Sequence, residues 1–194
     1  MSQKFYTIKR KYDQKDLILI DQKVPKQIDP EKPESDSFKT GTSLKSIIKN
    51  PSDLIFKTKY NNLTDYPASE FGFKVISQKM KNVFEKFIDN EVEFFEVEFE
   101  GNKKIDEKYF LMNFLNLQSA MDYDKSDFLQ ISNGEIIEID KMVVDYTKLE
   151  NQIAFRLKEV EHVLVINDEL RQAIEEANIT GIKFKELEKY KYPF

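Results

Sequence analysis

The 194 residues contain no cysteine. Disulfides and thiolate metal sites are thereby excluded, and a reducing cytoplasm is the simplest home. Histidine occurs once, as His162. One histidine without cysteine cannot build the usual zinc or other transition-metal clusters. No Gly-x-Ser-x-Gly elbow is present to supply an activated serine for a Ser-His-Asp triad. Glycine is scarce, and Gly41, Gly72, Gly101, Gly134 and Gly181 stand far apart. That spacing rules out a phosphate-cradling loop or a dinucleotide fingerprint in its usual form, and with it the common ATP, GTP and NAD sites. Long apolar runs are missing too. Leu17–Ile20 is far too short for a signal peptide or a membrane span, and nothing else approaches ~20 residues, so neither membrane insertion nor export by the usual route is expected. There is no excess of positive charge. The net charge is -5, which argues against nucleic-acid phosphate as the main ligand and is compatible with a basic protein partner.

Apolar residues make up 40% of the chain and phenylalanine alone numbers 16. A sizeable core can therefore be buried, and the length suits one α+β domain, 1–194, or two small subdomains sharing a core. The clearest pattern is an internal repeat. Val75-Ile76-Ser77 aligns with Val165-Ile166-Asn167, Met80 with Leu170, Phe84 with Ile174, Glu85 with Glu175, Val92 with Ile182 and Val97 with Leu187. No gap is needed over 23 positions. Each copy, about 75–97 and 165–187, reads as the end of a strand, an N-cap, a three-turn helix and a return strand. Ser77 caps the first helix and Asn167 or Asp168 the second. Met80, Val83, Phe84 and Phe87, and then Leu170, Ala173, Ile174 and Ala177, fall on one face at helical spacing.

Around the repeat, alternation predicts a strand at Phe5–Arg10, and the short continuous apolar run Leu17–Ile20 is consistent with a second. Val24–Thr42, with three prolines, is read as a loop and the part most prone to mobility. Ser43 is placed to cap a short helix ending at Lys49, before Pro51. Strands are expected at Leu54–Lys57, Tyr109–Leu117, Met142–Tyr146 and Ile153–Leu157. Asn133-Gly134 between Phe128–Ile131 and Ile136–Ile139 signals a hairpin with a type I′ turn. Along Glu91–Glu100 acids alternate with apolar residues, but the phase slips at Phe94-Phe95. A bulge there would restore it; alternatively the two rings are buried on opposite faces. Tyr190, Tyr192 and Phe194 are expected to pack.

Two acidic groups are candidates for function. Glu91, Glu93, Glu96, Glu98 and Glu100 would line a strand face, either as a solvated edge or as a docking surface for a basic partner. Asp122, Asp124 and Ser126 have the spacing that opens a calcium loop. The rest of that motif fails, because Asp127 stands where its glycine belongs and Asn133 where its bidentate glutamate belongs. A polar turn is the plainer reading, and no catalytic, metal or cofactor residue is assigned.

The chain also resembles an immunity protein family of bacterial polymorphic toxin systems, the eleven type, long catalogued only as a domain of unknown function. Ser52-Asp53-Leu54 precedes the first unit. Val75–Met80 with Val92–Val97 resembles the family's serine-capped helix and strand. Tyr109–Asn113 with Met121–Ser126 resembles its central tyrosine, asparagine, aspartate and serine stretch. Phe155-Arg156-Leu157, Val165–Leu170 and Ile179–Phe184 resemble its C-terminal signature. The match spans about residues 50–187; residues 1–42 match less clearly. The resemblance implies an α+β protein with mixed, mainly antiparallel sheets, no enzymatic activity and no cofactor. Its partner would be a cognate toxin, bound and blocked by occlusion, with the protein a monomer or weak homo-oligomer. From charge and loop position, the contact candidates are Glu93, Glu96, Glu98, Asp122, Tyr123, Asp124 and Asp127. Two other readings stay open: a hydrolase holding a divalent ion at Asp122, Asp124 and Asp127, and an adaptor that assembles with copies of itself.

Overall fold

In a computed structural model, which describes residues 4–11, 16–20, 40–69, 73–88, 90–100 and 105–192, both repeat units form as strand-helix-strand. Strand β1 is Phe5–Arg10, β2 Leu17–Ile20, β3 Ile55–Lys57, β4 Ala68–Ser69 and β5 Val75–Ser77; helix α1 is Gln78–Phe84. Strands β6 (Val92–Glu96), β7 (Glu98–Glu100), β8 (Tyr109–Phe114), β9 (Leu117–Gln118), β10 (Asp127–Gln130), β11 (Ile136–Lys141), β12 (Ala154–Leu157) and β13 (Leu164–Asn167) follow. Helix α2 (Asp168–Glu176) and β14 (Ile182–Glu186) complete the order. The sheets are mixed and mainly antiparallel, so the fold is α+β. Most of the loop expected at Val24–Thr42, and Phe194, lie outside the described residues.

The caps explain why the helices start where they do. Ser77 Oγ accepts from Met80 N at 3.2 Å and Asn167 Oδ1 from Leu170 N at 2.9 Å, each satisfying a first-turn donor. Asn167, rather than Asp168, is the second cap. Both helices run about two turns, shorter than the three expected. Asn90, in the left-handed region, follows the first.

Each unit also admits an inner strand from elsewhere in the chain. The sheet orders are β5-β8-β6 and β14-β1-β13 within a five-stranded sheet that continues to β12 and β9. Val75 faces Leu111 and Val92 faces Phe114; correspondingly, Val165 faces Thr7 and Ile182 faces Arg10. The repeat therefore extends to register: β8 and β1 occupy the same slot, one following its unit and the other coming from the N-terminal end. Ile76, Met80, Phe84 and Phe110 meet Ile8, Ile166, Leu170 and Ile174 in one shared core between the two sheets, and α1 touches α2.

Two further cores flank it. One, around Leu54, Phe56, Val75, Phe95 and Leu111, lies under the β4-β2-β3-β7 sheet. The other, around Phe5, Met121, Ile139, Phe155 and Val165, carries the β10–β11 hairpin.

Four local expectations are corrected. Residues 43–49 form no helix, only a turn closed by Leu44 O with Ile47 and Ile48 N, and Ser43 Oγ donates to Glu93. Phe94-Phe95 is not a bulge. Register runs unbroken from Val92 to Glu96, with Phe95 in one core and Phe94 against the other. The break falls at Val97, where the chain passes from β6 to β7 in a different sheet. Tyr109–Leu117 likewise splits into β8 and β9, which belong to two sheets. Met142–Tyr146 is not a strand. It makes a single bridge, Met121 with Val144, and then a 3-10 turn capped by Asp145, whose side chain accepts from Thr147 N.

Candidate functional site

The structure divides the predicted acidic residues between two places. Glu93 is 4% exposed and is not a surface group. Its carboxylate accepts from Ser43 Oγ, from Leu44 N at 2.8 Å and from Asn113 Nδ2 at 3.1 Å. This buried acid fastens residues 43–44 to the β6–β8 pair, which is why it is removed from the contact candidates. Glu96 is half-buried and ion-pairs with Lys108 at 2.9 Å. Glu98 is exposed on β7, an edge strand beside β3. The expected row of carboxylates on one face does not form, because strict alternation from Glu93 to Glu96 places those two on opposite faces.

Asp122, Tyr123, Asp124 and Asp127 are brought together at the base of the β10–β11 hairpin. Asp122 accepts from Lys125 Nζ at 2.6 Å, and that hydrogen bond holds its carboxyl below the usual aspartate range. Asp124 and Asp127 are exposed. Tyr123 packs edge-on against Phe128 at 5.5 Å, with Lys148 Nζ 5.8 Å above its ring. Burial, then the nearby Glu159 carboxylate, pushes its phenol pKa up. Glu159 supports the segment from behind. It is 8% exposed and accepts from Ser119 Oγ at 2.5 Å and Met121 N at 3.1 Å.

The hairpin itself supplies what the sequence reading missed. Leu129 (52%), Ile131 (41%) and Ile137 (38%) are exposed, while Ile136 and Ile139 turn into the core. The adjacent Ile136-Ile137 pair carried a signal, since neighbouring strand residues point to opposite faces. Over residues 122–141 six carboxylates face two lysines, a local net charge of -4 within a total of -5. The result is a set of exposed apolar residues on the hairpin, within an acidic segment. Its turn is not type I′. Gly134 N donates to Ile131 O at 2.9 Å and Ile131 N to Glu135 O at 3.0 Å, and only Gly134 has positive φ (90°). That is a three-residue loop ending in a left-handed glycine.

Among the described residues no group of three or more His, Asp or Glu side chains is placed to hold a metal ion, so Asp122, Asp124 and Asp127 do not form the divalent site considered above. No helix among them is long and apolar enough to cross a membrane. His162 stands in the β12–β13 connection, its ring 5.6 Å from Tyr192.

Sequence comparison places this geometry in a family. The Immunity protein family (Imm11) matches residues 4–189, and the chain belongs to it. No curated protein matches the chain.

Proposed function

We propose that this immunity protein, acting as one α+β domain in the bacterial cytoplasm, neutralises a cognate toxin of a polymorphic toxin system by binding and occluding it, without catalysis. The observation that carries the reading is the β10–β11 hairpin, where Leu129, Ile131 and Ile137 are exposed inside a segment of net charge -4. Exposed apolar residues among charged ones are the anatomy of a protein interface. Concentrated negative charge draws a basic partner and speeds its encounter. The contact residues on this reading are Tyr123, Asp124, Asp127, Leu129, Ile131 and Ile137, with Asp122 held to Lys125 beside them. Glu96 and Glu98 form a separate, weaker candidate face.

The test is protection of cells expressing a candidate cognate toxin. Leu129→Asp with Ile137→Asp should abolish protection while the circular dichroism spectrum stays native. Protection retained by that folded variant, but lost in Glu96→Lys with Glu98→Lys, would move the interface to β6–β7. Protection retained by both variants would discard both faces.

A further inference from the structure

The hairpin is a sheet of two strands only, β10 with β11. Its β11 edge is closed by the C-terminal segment. Ile139 N donates to Tyr192 O at 2.6 Å and Tyr192 N to Ile139 O at 3.0 Å. Along the other edge, β10 has no second strand beside it among the described residues. The base of the hairpin is fixed, since Val143 N donates to Ser126 Oγ at 3.0 Å and Phe128 packs on the core around Phe155.

Register decides which backbone groups line that open edge. Phe128 is opposite Ile139, whose N–H and C=O are both taken by Tyr192 on the far side. The Phe128–Ile139 pair is therefore of the non-hydrogen-bonded kind, and the N–H and C=O of Phe128 point away from β11. Ile131 is the opposite case. Its N donates to Glu135 O and its O accepts from Gly134 N, so its groups point inward. Alternation between these two fixed points turns the groups of Gln130 outward. Both irregularities of the pair add a residue to β11, at Ile137 and Asp140, and leave β10 regular. An open edge is ordinarily blunted by lysine, proline or a bulge. Strand β14, at the end of the five-stranded sheet, carries Lys183 and Lys185. Strand β10 has none of these devices and exposes Leu129.

We infer that the partner adds an extended segment to the β10 edge as a third strand of the hairpin, an inference that rests on the docking reading above. The N–H and C=O groups of Phe128 and Gln130 supply the main-chain bonds. Side chains supply the selectivity. Asp127 and Leu129 are both exposed and, two positions apart, share one face. Asp127 has Lys141 across the pair on one side and the open edge on the other. A segment that fits places a basic residue beside Asp127 and an apolar residue two positions away beside Leu129. The net charge of -4 over residues 122–141, which includes Lys141, favours such a basic strand. The same charge disfavours a second copy of this hairpin as the occupant.

The probe is a purified candidate cognate toxin that the parent protein binds. Gln130→Pro removes one outward N–H, and proline is tolerated where that group faces solvent on an edge. Gln130→Ala is the control. Both variants lose the bond from Gln130 Nε2 to Gly134 O, and only proline loses the main-chain donor. Gln130→Pro should bind about tenfold or more weakly than Gln130→Ala, while the Leu129 and Ile131 amides of the unbound variant keep their parental protection from hydrogen exchange. In the parent, the Phe128 and Gln130 amides should exchange about tenfold or more slowly once toxin is bound. Equal binding by the two Gln130 variants, with loss in Leu129→Asp with Ile137→Asp, would overturn strand addition and leave the hairpin as a docking face. Binding that all these variants retain would remove the hairpin reading and the added strand together. Unchanged exchange at Phe128 and Gln130 in the complex overturns the inference whether or not Gln130→Pro folds. A dimer that forms without toxin and is lost in Gln130→Pro would give the edge to a second copy, and would overturn it too.

Discussion

Glu159 illustrates how one buried carboxylate sets a surface it does not belong to. Its oxygens accept from Ser119 Oγ and Met121 N, and Tyr123 is its neighbour, so the acidic loop starts from a fixed point. Glu159→Gln keeps the size but turns one acceptor into a donor facing donors. The expected loss is about 1–3 kcal/mol, measured by denaturant unfolding. A loss below about 0.5 kcal/mol would show that the segment is held by packing alone. His162 gives a pH-dependent effect with a definite sign. Its folded pKa lies below the unfolded value of 6.5. Between the two, the unfolded chain binds more protons, so stability rises with pH across that window. The contribution is complete above pH 6.5 and is lost as pH falls through the folded value. His162→Gln should flatten the unfolding free energy just below pH 6.5, a range in which no other side-chain type has its ordinary pKa. An unaltered slope in the variant would assign the acid sensitivity to carboxylates instead.

At the scale of elements, the legible parts of the sequence were those specified by neighbours in the chain. Ser77 and Asn167 are caps because a side-chain oxygen reaches a donor three residues on. The helix faces follow from spacing. The hairpin follows from Asn133-Gly134, although three loop residues rather than two changed its turn type. Non-local facts were hidden. Nothing in Phe5–Arg10 or Tyr109–Phe114 says that each fills the same slot in a repeat unit, because strand pairing is decided by partners far away in sequence. Glu93 read as a surface acid because an alternating strand gives no sign that Ser43, Leu44 and Asn113 will close over one face. Val97 and Leu115-Asn116, where strands leave one sheet for another, left no mark in composition. The shared core makes a quantitative demand on the two helices. Phe84 and Ile174 are both 0% exposed in the same cluster. Replacing either by Ala should cost about 2–5 kcal/mol. Because α1 touches α2 within one core, the double variant should depart from additivity by about 0.5 kcal/mol or more. Additive losses in chemical denaturation would mean that each helix packs only on its own sheet.

For the whole molecule, charge distribution matters more than net charge. A total of -5 spread evenly over 194 residues would exert little direction on an approaching partner, but a local -4 within residues 122–141 gives the field a direction. Screening shortens that field to about 8 Å at physiological ionic strength, so its effect is strongest on the encounter and weakest once the surfaces touch. The exposed apolar residues act the other way. Leu129, Ile131 and Ile137 contribute only after water is expelled, so they should govern how long the complex lasts. If the hairpin is the docking surface proposed above, the two halves of that interface are separable by kinetics. With purified cognate toxin, raising salt from about 0.05 to 0.5 M should slow association by about tenfold or more while dissociation changes little. Asp124→Lys with Asp127→Lys should associate slowly at low salt and lose most of the salt dependence. Leu129→Ser should associate at the parental rate and dissociate faster. If charge reversal leaves the salt slope intact, the toxin is being steered by another face, and the hairpin's acid serves only to keep its exposed aliphatic residues soluble.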